Sequence, residues 1–334
     1  MFLFFQRFAA AFLTFFMMLY GMIGGMNSGD TVLSYEKRVA SIEAYENTVD
    51  TALPMTAVYK IIDDHLKAPL PAGKTAKKVL VLGYDGARAD TLSLLGQNEN
   101  SAVSAVLEDG GKAYVAYCGG VNYPAFNKQA TSTAPGWCSM LTGNWADVHG
   151  ITDNDQPKSN DHLTLLTTAV EDGTIDESAF YVSWNGHFNG ADSTYINEKG
   201  YIEEKGLNVH FVDADDDDGT YANVLADIGR PECSDFIFSI FEYCDHVGHD
   251  TGFNIQDERY TGAFLAADAT GYALLQAVKA RPAYETEDWL IVITADHGGY
   301  NKGHGFLTIQ ERMMFIVTSK DLPADVGYEP KQAD

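Results

Sequence analysis

The sequence predicts a three-layer α/β/α sandwich with a mostly parallel central sheet, preceded by an N-terminal hydrophobic helix. Three observations carry that expectation. Short apolar runs rich in valine, isoleucine and phenylalanine alternate with stretches of helical character, the alternation that builds a parallel sheet covered on both faces. At 334 residues, 46% hydrophobic and 12% aromatic, the chain has ample material for a sizeable core. Three of the apolar runs end directly in glycine-flanked segments bearing aspartate or histidine, and open α/β sheets place their ligands at the carboxyl ends of strands.

Taken in order, the chain opens with Arg7 and then Phe8–Gly25, an uncharged and mostly apolar run. A cleaved signal carries an apolar stretch of about 7–15 residues and a spanning helix about 18 or more, so residues 1–27 read as a signal peptide or a membrane anchor. The anchor is preferred because no A-x-A cleavage site lies near Gly24–Ser28. Little basic charge follows the span, which by the positive-inside rule puts the body outside the cytoplasm. Residues 28–76 read as a helical lead-in closed by the linker Ala68-Pro69-Leu70-Pro71-Ala72-Gly73, and residues 77–334 as the body.

Within the body, Lys78–Tyr84 reads as a strand ending in Asp85-Gly86. Residues 114–154 contain a Gly/Pro/Thr/Ser-rich segment, and Phe180–Trp184 and Val209–Val212 read as further strands. Asp213–Asp218 carries five acids in six residues but lacks the spaced pattern of a calcium-binding EF-hand, so a solvated loop before a helix over Thr220–Ile228 is expected. Asp235–Phe241 is a strand running into Cys244-Asp245-His246-Val247-Gly248-His249, and a helical stretch follows near Ala263–Ala280. Trp289–Thr294 and Phe315–Ser319 complete the strands.

The formal charge is −25, from 22 Lys+Arg against 47 Asp+Glu. Affinity for a nucleic-acid polymer rests on clustered cations, so that class of partner is not expected. A small anionic substrate fits only if bound metal reverses the local sign. The four cysteines, Cys118, Cys138, Cys233 and Cys244, show no CxxC spacing. That argues against a sulfur-based zinc site and leaves free thiols or up to two disulfides.

Ile291–Gly305, IVITADHGGYNKGHG, concentrates the chemistry: a buried-strand run, then Asp296-His297-Gly-Gly, then His304 seven residues after His297. Two other strand ends offer metal-type ligands, Asp85 at one and Asp245 with His249 at the other. Each alone has an ordinary structural reading, as helix cap, turn residue or surface histidine. Together, three aspartates and three histidines suit two divalent ions. Oxygen and imidazole donors without thiolate fit zinc first, and manganese or iron also suit.

On these residues the sequence resembles the alkaline phosphatase superfamily: Asp85 after VLVLGY, Asp245-x-x-Gly-His249, and Thr-Ala-Asp296-His297-Gly. Thr133-Ala134-Pro135-Gly136-Trp137, then Thr142-Gly143 and His149-Gly150-Ile151-Thr152-Asp153-Asn154, is similar to the nucleophile region of type I phosphodiesterase/nucleotide pyrophosphatases. The resemblance spans roughly Val79–Ser319 and implies an alkaline phosphatase-like fold and a hydrolase of phosphate esters. One ion would be held by Asp85, Asp296, His297 and the Thr133 oxygen, the other by Asp245, His249 and His304. Thr133 would be the nucleophile, with Thr131 and Ser132 as rivals. Asn154 and the Ala134 N–H would donate to a non-bridging phosphate oxygen. His149 would pack structurally, and His246 is set aside as a neighbour of the ligands or a solvent residue.

Departures from the family pattern qualify the substrate. Ala134 replaces the phenylalanine that helps stack a base, which weakens nucleotide specificity and leaves Trp137, Trp184, His187 or Phe188 as alternative platforms. Gly136 replaces an asparagine. A sulfatase is disfavoured because Thr133 and Trp137 break the C/S-x-P-x-R pattern at both ends. The short spacing to His304 looks more like that of ethanolamine-phosphate transferases, which keeps a phospho-group transferase or a phosphomonoesterase as alternatives. A metal-binding surface protein without turnover is an alternative of another class. Related proteins continue with a closing helix, so a body shortened at its C-terminus is expected. The expected substrate is a small-molecule, lipid or glycan phosphate ester.

Overall fold

The computed structural model describes residues 52–119, 129–155, 162–190, 192–306 and 308–326. The expected signal or anchor and most of the lead-in lie outside the described residues. Among the described residues no helix is long and apolar enough to cross a membrane.

Among the described residues eight strands form one sheet: β1 (Leu53–Pro54), β2 (Ala76–Tyr84), β3 (Lys112–Tyr117), β4 (Ser178–Val182), β5 (Val209–Asp213), β6 (Phe236–Phe241), β7 (Glu287–Thr294) and β8 (Met313–Thr318). Their order is β1-β3-β8-β7-β2-β6-β4-β5. Every pairing is parallel except those made by β8, which runs against both β3 and β7. β6 and β7 are buried at every position and β2 from Val79 onward, as strands covered on both faces must be.

The helices divide between the two faces. On one lie α1 (Ala57–Lys67), α3 (Thr133–Thr142), α4 (Ala146–His149) and α5 (Leu165–Glu171). The other carries α2 (Ala102–Glu108), α7 (Asp217–Ile228), α8 (Tyr243–Thr251) and α9 (Glu258–Lys279). The remaining α-helices are α6 (Ile196–Lys205) and the single turn α10 (Ile309–Arg312). The layered α/β/α expectation therefore holds for the described body.

Two local results refine the sequence reading. The acidic run Asp213–Asp218 is partly structural: Asp216 caps α7 by accepting from the Gly219 N–H, and α7 begins at Asp217, three residues earlier than expected. Asp245 and His249 do not sit in a plain loop after β6. They lie on α8, where a four-residue spacing puts them on one face. All four cysteines are buried free thiols.

Candidate cation and phosphoester site

Sheet register gathers the site. In the central trio β7-β2-β6, Gly83 pairs with Thr294 and Tyr84 with Phe241. The three strands thus end level, and Asp85, Glu242 and Asp296 leave the sheet at one height. The Asp85 N–H still reaches the Phe241 carbonyl (2.9 Å), and the Gly86 N–H donates to Asp296 Oδ1 (3.2 Å).

Two groups of donors follow. Asp85, Asp296 and His297, all 0% exposed, form an inner set. His297 Nε2 lies 3.5 Å from Asp85 Oδ1 and 3.4 Å from Asp296 Oδ2. Thr133, first residue of α3, brings Oγ1 to 3.5 Å from both Asp85 Oδ1 and His297 Nε2. Asp245, His249 and His304 form an outer set, with His304 Nε2 3.1 Å from His249 Nε2 and 3.5 Å from Asp245 Oδ1. The His297 and His304 rings stack with centroids 4.0 Å apart, joining the two sets.

The histidines are oriented alike. Nδ1 of His297, His249 and His304 pairs with the backbone carbonyls of Gly298 (2.6 Å), Lys302 (2.9 Å) and Thr131 (3.1 Å), respectively. A carbonyl only accepts, so each Nδ1 carries a proton, and the neutral rings of His297 and His304 turn the Nε2 lone pair inward. Carbonyl bracing of this kind is how proteins aim imidazole at a metal.

The electrostatics fit a cation pair. Burial, then the like charges of Asp296, Glu242 and Asp245, push the Asp85 carboxyl well above its usual range. Burial does the same to Asp296 and Glu242. Burial also lowers His297 and His304 to about 3, which keeps both rings neutral. The half-exposed His249 is raised, chiefly by its hydrogen bond with Asp245. Asp296 Oδ2, Asp245 Oδ1 and Glu242 Oε1 are buried with no hydrogen-bond partner. Lone pairs facing lone pairs in a dry pocket are the arrangement that divalent ions relieve.

Glu242 extends the site beyond the sequence reading. It forms a third carboxylate group with Asp85 and Asp245, and its N–H is fixed by Asp217 Oδ1 (2.8 Å). The signal was available, since Glu242 sits one residue past β6 as Asp85 sits one past β2.

Around Thr133 the expectations divide. Asn154 reaches the site, but its Oδ1 accepts the Ala134 N–H (2.8 Å). That N–H is therefore spent on a side chain, which corrects its expected role as a phosphate donor. The Thr131 hydroxyl braces the histidine loop, donating to the Phe306 carbonyl and accepting from the Gly305 N–H. Ser132 Oγ lies 3.3 Å from His304 Nδ1, leaving Thr133 as the hydroxyl beside the inner set. His149 packs structurally as expected, between Ser139 Oγ (3.0 Å) and the Ile151 N–H (3.1 Å). His246 is exposed. Gly136 faces Asp296, and a Cβ there would come within 3.0 Å of the Asp296 Cβ, too close for the asparagine of the family pattern without a shift.

The proposed aromatic platforms are corrected by burial. Trp137, His187 and Phe188 are at most 1% exposed, so none offers a face to a base. His187 and Phe188 pack around Phe180, with His187 stacked on Tyr195. Only Trp184 is partly exposed, its edge contact with His187 spanning 5.0 Å.

The family model for type I phosphodiesterase / nucleotide pyrophosphatase matches residues 79–301, more than half of the chain. The chain belongs to that family of phosphoesterases, within the alkaline phosphatase superfamily. Among solved structures it is similar to murine ectonucleotide pyrophosphatase/phosphodiesterase 5 at 18% identity and a TM-score of 0.44, covering 66% of this chain and 57% of that one. An inactive form of the mouse protein was solved in complex with AMP. The C-terminal periplasmic domain of a Campylobacter jejuni phosphoethanolamine transferase is similar at 14% identity and a TM-score of 0.44, covering 73% of this chain and 80% of that one. A Vibrio parahaemolyticus protein of the alkaline phosphatase superfamily is similar at 13% identity and a TM-score of 0.44, covering 87% and 70%. No curated protein matches the chain.

Proposed function

We propose that this protein is an extracytoplasmic, two-cation phosphodiesterase that cleaves small-molecule, lipid or glycan phosphate esters through Thr133. The observation that carries the reading is the convergence of Thr133 Oγ1 with the inward lone pairs of Asp85, Asp296 and His297, beside the second set Asp245, His249 and His304. The inner set with Thr133 would hold one divalent ion and the outer set the other, zinc suiting the oxygen and imidazole donors best. When bound, the ions supply the positive charge that lowers the pKa of a hydroxyl and neutralises a phosphate.

Thr133 then acts by position. It opens the ten-residue helix α3, whose positive end faces an incoming phosphate. Its Oγ1 bonds to phosphorus as the ester P–O bond breaks, and the leaving alcohol takes up the proton that the threonine releases. Water attack on the resulting phosphothreonine breaks the P–Oγ1 bond and returns a proton to the hydroxyl. Asn154, held by the Ala134 N–H through Oδ1, keeps its amide NH2 as the group able to donate to a phosphate oxygen.

The test is turnover of bis-p-nitrophenyl phosphate. It should be lost with a chelator and fall by on the order of 10³-fold or more in Thr133→Ala. Undiminished turnover in Thr133→Ala would remove the covalent route. The close His297–His304 spacing favours phospho-group transfer as a second reading; product transferred to an added alcohol in excess of hydrolysis would select it.

A further inference from the structure

We propose that Trp137 is a positioning residue that holds Asp85 in a cation-binding pose and ties it to the helical turn bearing Thr133. The inference rests on reading Asp85 as a cation ligand. Trp137 follows Thr133 by four residues in α3, so the hydroxyl and the indole lie on one face, a turn apart. The indole Nε1–H donates to Asp85 Oδ2 at 2.8 Å, while the other carboxylate oxygen, Oδ1, faces Thr133 Oγ1 and His297 Nε2. One helix therefore contacts both oxygens of Asp85, one through each of two side chains.

The indole is itself held. Its edge meets Phe238 of β6, with ring centroids 5.7 Å apart and planes at 85°. Its other flank lies on Gly83 of β2, two residues before Asp85, where a Cβ would come within 2.6 Å of the ring. Gly83 is thus the gap in β2 that admits the tryptophan. Both Trp137 and Asp85 are 0% exposed, so water cannot replace the bond if the N–H is lost.

The chemistry of indole suits this task. It is a donor only and does not titrate, so it cannot compete for the cation or lose its hold as pH changes. By engaging Oδ2 it leaves Oδ1 as the oxygen presented to an ion, favouring one-oxygen coordination by Asp85. Bracing of a metal-binding carboxylate by such a partner is worth about 10–100-fold in metal affinity.

Zinc affinity measured by chelator competition, together with melting with and without zinc, tests this directly. Trp137→Phe keeps a ring in the slot and removes only the donor. It should weaken zinc binding by about 10–100-fold, by a factor constant across about pH 6 to 8, and shrink the zinc-induced rise in Tm. Gly83→Ala keeps the donor but crowds the indole off its seat, and should weaken binding in the same direction by a smaller factor. A purely packing role predicts lower Tm without zinc and wild-type zinc affinity in both variants, which would overturn the proposal. Wild-type protein that binds no zinc would instead sink the two-cation reading beneath it.

Discussion

The two halves of the candidate cation pocket use the same residue types on different supports. Asp85, Asp296 and His297 issue from the ends of β2 and β7 and are wholly buried. Asp245 and His249 ride on α8 and His304 on the loop after β7, and the His249 side chain is 45% exposed. Without a cation His249 can turn to water, whereas the inner donors cannot. The inner half should therefore bind its ion more tightly and tie it more closely to folding, with the outer half exchanging more readily.

The largest effect should come from the inner set. Asp296→Asn preserves shape but removes a charge from a dry site, and should cost the inner ion and on the order of 10³-fold or more in diesterase turnover. His249→Ala should be milder in turnover: the outer ion is lost or only weakly held, with the inner ion retained. Ions per chain and turnover, measured side by side, decide the matter. Equal losses in the two variants would erase the distinction between the halves.

A smaller effect is expected from a buried carboxylate answered by protein donors instead of cations. Glu198 accepts from the Thr164 N–H and from the hydroxyls of Thr164 and Thr167, yet burial raises it from 4.5 to about 7. Because the folded protein holds this proton more tightly than the unfolded chain, the contribution to stability is full below about pH 4.5 and is lost as pH rises through about 7. The loss amounts to about 3 kcal/mol. Glu198→Gln should flatten the denaturation profile over that window. An unchanged slope would mean that hydroxyl donors satisfy the carboxylate as fully as water does.

Much of this arrangement was legible in the residues. β2, β6 and β7 announce themselves because strands covered on both faces are apolar at nearly every position, and they end in the aspartates that matter. β3 escaped because Lys112–Tyr117 is half exposed and gains its place by pairing with β1 and with the reversed β8. α8 escaped because histidine, glycine and aspartate make Tyr243–Thr251 a poor helix by propensity, so packing against α9 decides it. Among site residues, Asp85, Asp245, His249, Asp296, His297 and His304 lie together beside Thr133. Glu242 lies three residues before the Asp245-x-x-x-His249 spacing and is marked only by its place directly after β6. Trp137 and His187 could be recognised as aromatic but not as buried: the burial of Trp137 depends on Gly83, and that of His187 on the Phe180 cluster. The Ala134 N–H could not be assigned without knowing which way Asn154 turns.

Anomalous diffraction from zinc-loaded crystals tests the central claim most directly. The account predicts two peaks in each molecule, one within coordination distance of Asp85, Asp296, His297 and Thr133 Oγ1, the other of Asp245, His249 and His304. A single peak, or a pair with Thr133 Oγ1 outside coordination distance of both, would contradict it.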